Sequence, residues 1–425
     1  MANDQVAVAA VICTALYPVF FTQSSMAHLD MMACALTIWG LAMYVERRPV
    51  ATVIFLAVAP LTKETAILTP MALLGWELLC PLLGSARWGE DLCLEDRNWL
   101  RSLSLLLCAV PLMLWLAYHH YRTGFFLGNP EYLRYNLGAT LTPLRVTLAM
   151  LIRLWHLLGY LNLFVLTIFT AYAMSQPARL EGDGSFREPI AIPVQVVFGV
   201  IIAAHVVALS ILGGAVLARY MLPALPLVIL ICVSTLRRRL RHWIWCVVAA
   251  CVAFVFALVT PPPYRIAPED ILLHRDYVIL HAQAESQVAQ RYPHARVLTA
   301  WPASDEMTRP FLGYVKQPLD VIRVENFSEA EMERVARATG EFDIVFLFTT
   351  KWEPPRPLLQ SLAFGEALQK RFFDYHEDMT PDRAAAMLGG RILQYENRNN
   401  EWVSIVAIER VENARRFAFP VPSFK

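Results

Sequence analysis

The sequence predicts an α-helical polytopic membrane protein of about nine transmembrane segments, followed by a soluble C-terminal α/β domain. Three observations predict it. Of the 425 residues, 56% are hydrophobic and 17% charged, whereas an ordinary soluble domain is about 25% charged. The charge is uneven: residues 1–263 hold 17 Lys/Arg and 13 Asp/Glu, and the shorter stretch 264–425 holds 20 and 23. Apolar stretches near the ~20 residues needed to cross hydrocarbon recur along residues 5–260. The expected division is a membrane region, 1–263, and an extracytoplasmic domain, 264–425.

The apolar stretches cover residues 5–22, 29–45, 50–62, 64–80, 102–119, 157–175, 190–212, 217–236 and 243–260. The third and fourth meet at Leu61-Thr62-Lys63-Glu64-Thr65, so they read either as two spans or as a short hairpin. Cytoplasmic loops retain Lys and Arg, and Arg237-Arg238-Arg239-Leu240-Arg241 is the strongest such mark. Counting from it puts Arg47-Arg48 and the 81–101 and 176–189 loops on the cytoplasmic side, with Met1, and delivers the tail to the outside. A bacterial-type inner or plasma membrane is the expected location. Arg122, Arg134, Arg145 and Arg153 fall in an outer 120–156 loop, against the rule, and read as functional or headgroup-facing groups.

Eight cysteines, none in a CxxC pair and most in apolar runs, read as small buried hydrophobes. The N-terminus has no basic region followed by a small-residue cleavage site, so no removable leader is expected. A net charge of +1 argues against a nucleic-acid partner, which needs a concentrated basic face.

The tail opens with Pro261-Pro262-Pro263, which cannot continue a helix. Strand-like runs at 296–300, 342–348, 391–395 and 402–408 alternate with helix-like runs at 271–291, 329–339 and 358–373, the pattern of a three-layer α/β domain. Ser328-Glu329-Ala330-Glu331 has capping-box spacing. Asp305-Glu306 reads as a helix start, and no catalytic constellation is expected in the tail.

Ionisable groups between apolar runs cost a few kcal/mol and are functional hypotheses by default. Asp30, Lys63, Glu64 and Arg219 qualify, and the loop count puts all four on the outer side. Plainer readings stand beside this one: Lys63-Glu64 as a solvated turn, Asp30 as a helix cap, Arg219 as an interfacial anchor. His28, His119 and His120 lack the spacing of metal ligands and read as interfacial polar groups. The outer loop interleaves Arg122 and Arg134 with Tyr121, Phe125, Phe126, Tyr132 and Tyr135. Guanidinium groups grip phosphate bidentately and aromatic rings sit at the interface, so the combination suits a phosphate headgroup on an apolar tail. An aromatic belt with snorkelling arginines is the alternative.

These stretches resemble the GT-C type of polytopic membrane glycosyltransferase, similar to protein O-mannosyltransferases and lipid A aminoarabinose transferases. The resemblance rests on Tyr17-Pro18-Val19-Phe20 through Ser24-Ser25 to Asp30, on Ala59-Pro60-Leu61-Thr62-Lys63-Glu64-Thr65, and on Arg219-Tyr220-Met221-Leu222-Pro223-Ala224-Leu225-Pro226. It implies transfer of a sugar from a polyprenyl-phosphate donor in a membrane to an acceptor at the outer face, with inversion. A carboxylate would take the proton of the attacking acceptor, and cations would hold the departing phosphate. By that implication Asp30 is the catalytic group, Lys63, Arg122, Arg134 and Arg219 bind phosphate, and His28, Glu64, Tyr132 and Tyr220 support them. No cofactor is required by the sequence, although the resemblance allows a divalent metal beside Asp30. The family carries its principal acid in a large loop after the first helix, which has no counterpart before Asp30. The expectation is that two helices and that loop are missing, or supplied by a separate chain. The alternative is a non-catalytic scaffold that binds polyprenyl phosphate or glycan. A transporter ranks below both, since the charges gather at one face rather than at mid-membrane.

Overall fold

The computed structural model describes residues 3–26, 28–83, 99–126, 141–181, 184–212, 215–337, 341–354, 363–373 and 375–408. Two compact units divide the chain: Met1–Pro261 with Glu269–Ile271, and Pro262–Pro268 with Leu272–Lys425.

The first unit is helical. Its helices are α1 (Asp4–Leu16), α2 (Pro18–Ser25), α3 (Leu29–Val45), α4 (Pro49–Thr62), α5 (Leu68–Leu83), α6 (Trp99–Leu106), α7 (Val110–Thr123), α8 (Pro143–Leu158), α9 (Leu163–Met174), α10 (Ile192–Ile211), α11 (Leu225–Arg239) and α12 (Trp243–Val259). Among the described residues, three helical segments are long and apolar enough to cross a membrane: Ser102–Thr123, Pro143–Met174 and Ile192–Ile211. The pair α1 and α2, bent by 67°, makes a fourth if it is taken as one span. Helices occupy the other expected stretches, but α3, α4 and α12 run only 17, 14 and 17 residues. Nine helices of full spanning length are therefore not what the described residues form.

One boundary differs from expectation with consequences. The span expected at 157–175 begins at Pro143, so Arg145 and Arg153 lie in α8, where they are 1% and 0% exposed, rather than in a loop. Hydropathy alone excluded the first turns of α8 because the two arginines depress it. Between α8 and α9 the chain turns through Leu161 and Asn162, both in the left-handed region. The turn begins at Gly159, where a Cβ would meet the Trp155 ring.

Helix α11 is buried along most of its length by Leu225, Leu227, Val228, Ile229, Cys232, Val233 and Leu236, with α1, α9 and α12 packed on it. At its C-terminal end Arg237 pairs with Glu181 at 2.5 Å, and Arg187 donates to the Arg237 carbonyl at 2.6 Å. The 176–189 and 237–241 segments, assigned by charge to one side, thus meet in space. Among the described residues six cysteines are free, four of them buried. Cys80 is buried, as expected, and is disulfide-bonded rather than a free thiol.

The second unit carries a five-stranded sheet of order β2-β1-β3-β5-β4, built from β1 (Arg296–Ala300), β2 (Asp320–Val324), β3 (Ile344–Phe348), β4 (Gly390–Arg398) and β5 (Glu401–Ile408). β2, β1 and β3 run parallel, and β5 and β4 add antiparallel at one edge. Strand β2 was not foreseen, because Asp320-Val321-Ile322-Arg323-Val324 is half polar and sits at the sheet edge. All five residues of β3 are buried, so both faces of the sheet are covered there. The helices are α13 (Leu273–Arg291), α14 (Ala303–Thr308), α15 (Glu329–Ala336), α16 (Ala363–Phe372) and α17 (Pro381–Leu388). Ser328 caps α15 as its spacing predicts, accepting from the Glu331 N–H at 3.4 Å. Glu331, however, reaches the Glu325 N–H instead of closing the box on Ser328.

Candidate functional site

The geometry of α3 and α4 explains how Asp30 meets Lys63. The two helices are antiparallel neighbours joined by the short link Glu46–Arg48, so the start of α3 lies beside the end of α4. Close approach is built in twice. A Cβ on Gly40 would stand 2.5 Å from Leu56, and near the site the buried Ala33, Ala59 and Ala66 pack as a small cluster. Pro60 brings α4 towards its end, and Lys63 follows with extended backbone. The Cys34 thiol donates to the Leu222 carbonyl at 3.3 Å and ties α3 to the 3-10 turn Ala218–Met221, which carries Arg219 and Tyr220.

Asp30, 3% exposed, is the centre. Lys63 Nζ donates to Oδ1, His28 Nδ1 lies 3.0 Å from Oδ2, and Arg219 Nε lies 3.8 Å from Oδ2. Arg219 Nη1 donates to Glu269 Oε1 at 2.5 Å. The Lys63 ammonium stands 4.0 Å from the centroid of the Tyr220 ring, with Arg219 and Arg153 each 5.7 Å from it. Four segments far apart in sequence thus contribute to one charge cluster within the first unit.

Among the expected residues, Asp30, Lys63, Arg219, His28 and Tyr220 come together. Glu64 is exposed at the turn after Lys63, and Arg122 is exposed in the last turn of α7 with no ion pair among the described residues. Tyr132 and Arg134 lie outside the described residues.

Sequence reasoning missed two participants. Glu269 completes the balance of two carboxylates against two cations. Its neighbour Asp270, 2% exposed, accepts from the Tyr160 hydroxyl at 2.7 Å. Burial, reinforced by the Glu269 charge, pushes the Asp270 carboxyl up to about 7, against the lowering effects of Tyr160 and Arg219. The signal was an acidic pair just after the last apolar run, overlooked because it follows the three prolines. Arg153, read from the sequence as a functional or headgroup-facing loop residue, lies instead in α8 near the Tyr220 ring. It is fully buried, donates only to the carbonyls of Leu209, Ala215 and Leu217, and pairs with no carboxylate among the described residues.

Lys63 and Arg219 face the two oxygens of Asp30, where the resemblance allowed a divalent metal. The metal-capable group lies in the second unit, where no constellation was expected: His281, Glu285 and Glu306 are buried with ligand atoms within 4.8 Å of one another. Glu306 is in the first turn of α14, as a helix-start acid should be, but its carboxylate is turned inward to His281. Comparison with protein-family models, curated proteins and solved structures finds no significant match.

Proposed function

We propose that the chain is a membrane glycosyltransferase, or the large fragment of one, that transfers a sugar from a polyprenyl-phosphate donor to an acceptor at the outer face. The observation that carries this reading is the convergence of three separately recognised segments on Asp30. A cluster of two carboxylates and two cations is neutral, so an arriving phosphate competes with Asp30 and Glu269 for Lys63 and Arg219. Once those cations turn to the phosphate, Asp30 is free to take a proton. The acceptor oxygen then attacks the anomeric carbon, the bond from that carbon to the phosphate oxygen breaks, and the polyprenyl phosphate leaves with the electron pair. Arg153, buried behind Tyr220 without a counter-carboxylate, adds positive potential at the same place.

The test uses the purified full-length chain in lipid nanodiscs with a polyprenyl-phosphate sugar. Binding that weakens in both Lys63→Ala and Arg219→Ala, with helicity unchanged, supports the phosphate role; unchanged affinity in both removes it. Single cysteines at the exposed Glu64 and Arg241 should label from opposite compartments, and labelling from one compartment would overturn the sidedness. One observation favours a second reading, a binding scaffold without catalysis: both oxygens of Asp30 already have cationic partners. Donor binding without transfer to any acceptor separates that reading from the first.

A further inference from the structure

We propose that His281, Glu285 and Glu306 form a closed binding site for a divalent transition-metal ion of the zinc class. His281 and Glu285 are four residues apart on α13 and so lie on one face of the helix. Glu306 arrives from the first turn of α14. Nδ1 of His281 is the atom that faces both acids, 3.3 Å from Glu285 Oε1 and 2.8 Å from Glu306 Oε2. Ligand atoms around a tetrahedral zinc with bonds of ~2.0–2.1 Å stand about 3.3 Å apart. The group therefore closes on an ion with little movement, Nδ1 ligating and the ring hydrogen residing on Nε2.

Two independent observations point to a ligand. Glu285 is 0% exposed, and apart from its contacts with His281 and the Glu306 carboxyl neither of its oxygens has a partner among the described residues. Two buried carboxyls that meet with one imidazole between them are under-bonded, and a metal ion bound to both would replace those contacts. The charge balance points the same way: neither Glu285 nor Glu306 pairs with a Lys or Arg among the described residues, and a divalent cation neutralises two carboxylates and a neutral imidazole. The surroundings hold the ligands in place. The His281 ring stacks on Tyr277 at 4.1 Å between centroids and meets the Phe348 ring at 4.7 Å, and Tyr314 hydrogen-bonds Glu306. With His281 fully buried, the ion would hold α13 to α14 rather than meet a substrate.

The experiment takes the full-length chain in detergent micelles, strips it with a chelator and reconstitutes it with zinc chloride. One zinc per chain is expected, with a melting temperature of the second unit that rises on zinc addition. Glu285→Gln, which keeps the volume and removes the charge, should retain helicity and lose at least about a hundredfold in zinc affinity. X-ray absorption at the zinc edge should show only N/O neighbours at ~2.0 Å. Every cysteine lies at or before position 251, so sulfur in the coordination shell would place the ion elsewhere and overturn the proposal. Folded wild-type protein without stoichiometric zinc would overturn it as well, as would Glu285→Gln binding zinc like wild type. If the variant fails to fold, the wild-type stoichiometry and coordination shell still decide.

Discussion

The two buried charge clusters of this chain are built on opposite balances. Around Asp30, two carboxylates face two cations, so the cluster is neutral as it stands and is suited to exchanging one anion for another. Around Glu285, two carboxylates share a single imidazole, so the cluster lacks positive charge and is suited to taking up a cation. The comparison teaches that a buried acid acquires its chemistry from what faces it. Asp30 and Glu285 are 3% and 0% exposed, and their burial alone would not distinguish them.

The largest effect that sharpens this contrast is expected from Asp30→Asn. It leaves Lys63 and Arg219 in excess of negative charge and removes the proposed proton acceptor, so on the glycosyltransferase proposal transfer measured with a defined lipid-linked sugar should fall by about a thousandfold. Donor affinity should hold or improve. A loss in affinity equal to the loss in rate would break the assignment of Asp30 to the chemical step.

Next come Lys63→Ala and Arg219→Ala. A hydrogen bond to a charged group is worth ~1.5–3 kcal/mol, so equilibrium binding of the donor should weaken by roughly 10- to 100-fold. Lys63→Arg should recover part of the loss, because it restores charge with a different reach.

A smaller effect concerns pH. The Asp270 carboxyl sits at about 7 when folded and near 3.9 when unfolded. The folded protein binds the extra proton between those values, so stability falls as pH rises from about 4 to about 7 and levels off above. Asp270→Asn imitates the protonated form and keeps a partner for the Tyr160 hydroxyl. Melting temperatures of the variant should be flat across that window while those of wild type decline. A wild-type curve that rises with pH would show that Asp270 is held ionised by Arg219.

The smallest expected effect is that of Arg122→Ala. The side chain is exposed and outside the cluster, so donor affinity should change by less than about threefold, in keeping with the modest worth of exposed charges. A tenfold loss would bring the 120–140 segment into the donor site.

Asp30, Lys63 and Arg219 were legible because an ionisable group between apolar runs has a cost that composition alone exposes. Arg153 was singled out as well but put in the wrong element, since it depressed the hydropathy of its own helix and so passed for part of a loop. The triad in the second unit was hidden for another reason. His281 and Glu285 resemble two polar positions on a helix surface, and Glu306 resembles an acid at a helix start. The spacing His281-x-x-x-Glu285 was a usable signal, but nothing in it reports that the face is turned inward. Strand β2 escaped because an edge strand keeps polar residues, whereas β3, buried on both faces, reads as an unbroken apolar run.

By itself the sequence determined where apolar and charged regimes divide, that an α/β tail follows, and which few charges must be costly among apolar neighbours. Those properties are sums over local composition, and local composition is what a sequence displays. Only the tertiary structure decided which charges share a cluster. Asp30 and Lys63 meet because Gly40, Ala33 and Ala59 let two antiparallel helices approach, and Glu285 and Glu306 face one histidine with no Lys or Arg paired to either among the described residues. Coulomb energy depends on separation in space and on exclusion of water, and neither is a function of distance along the chain.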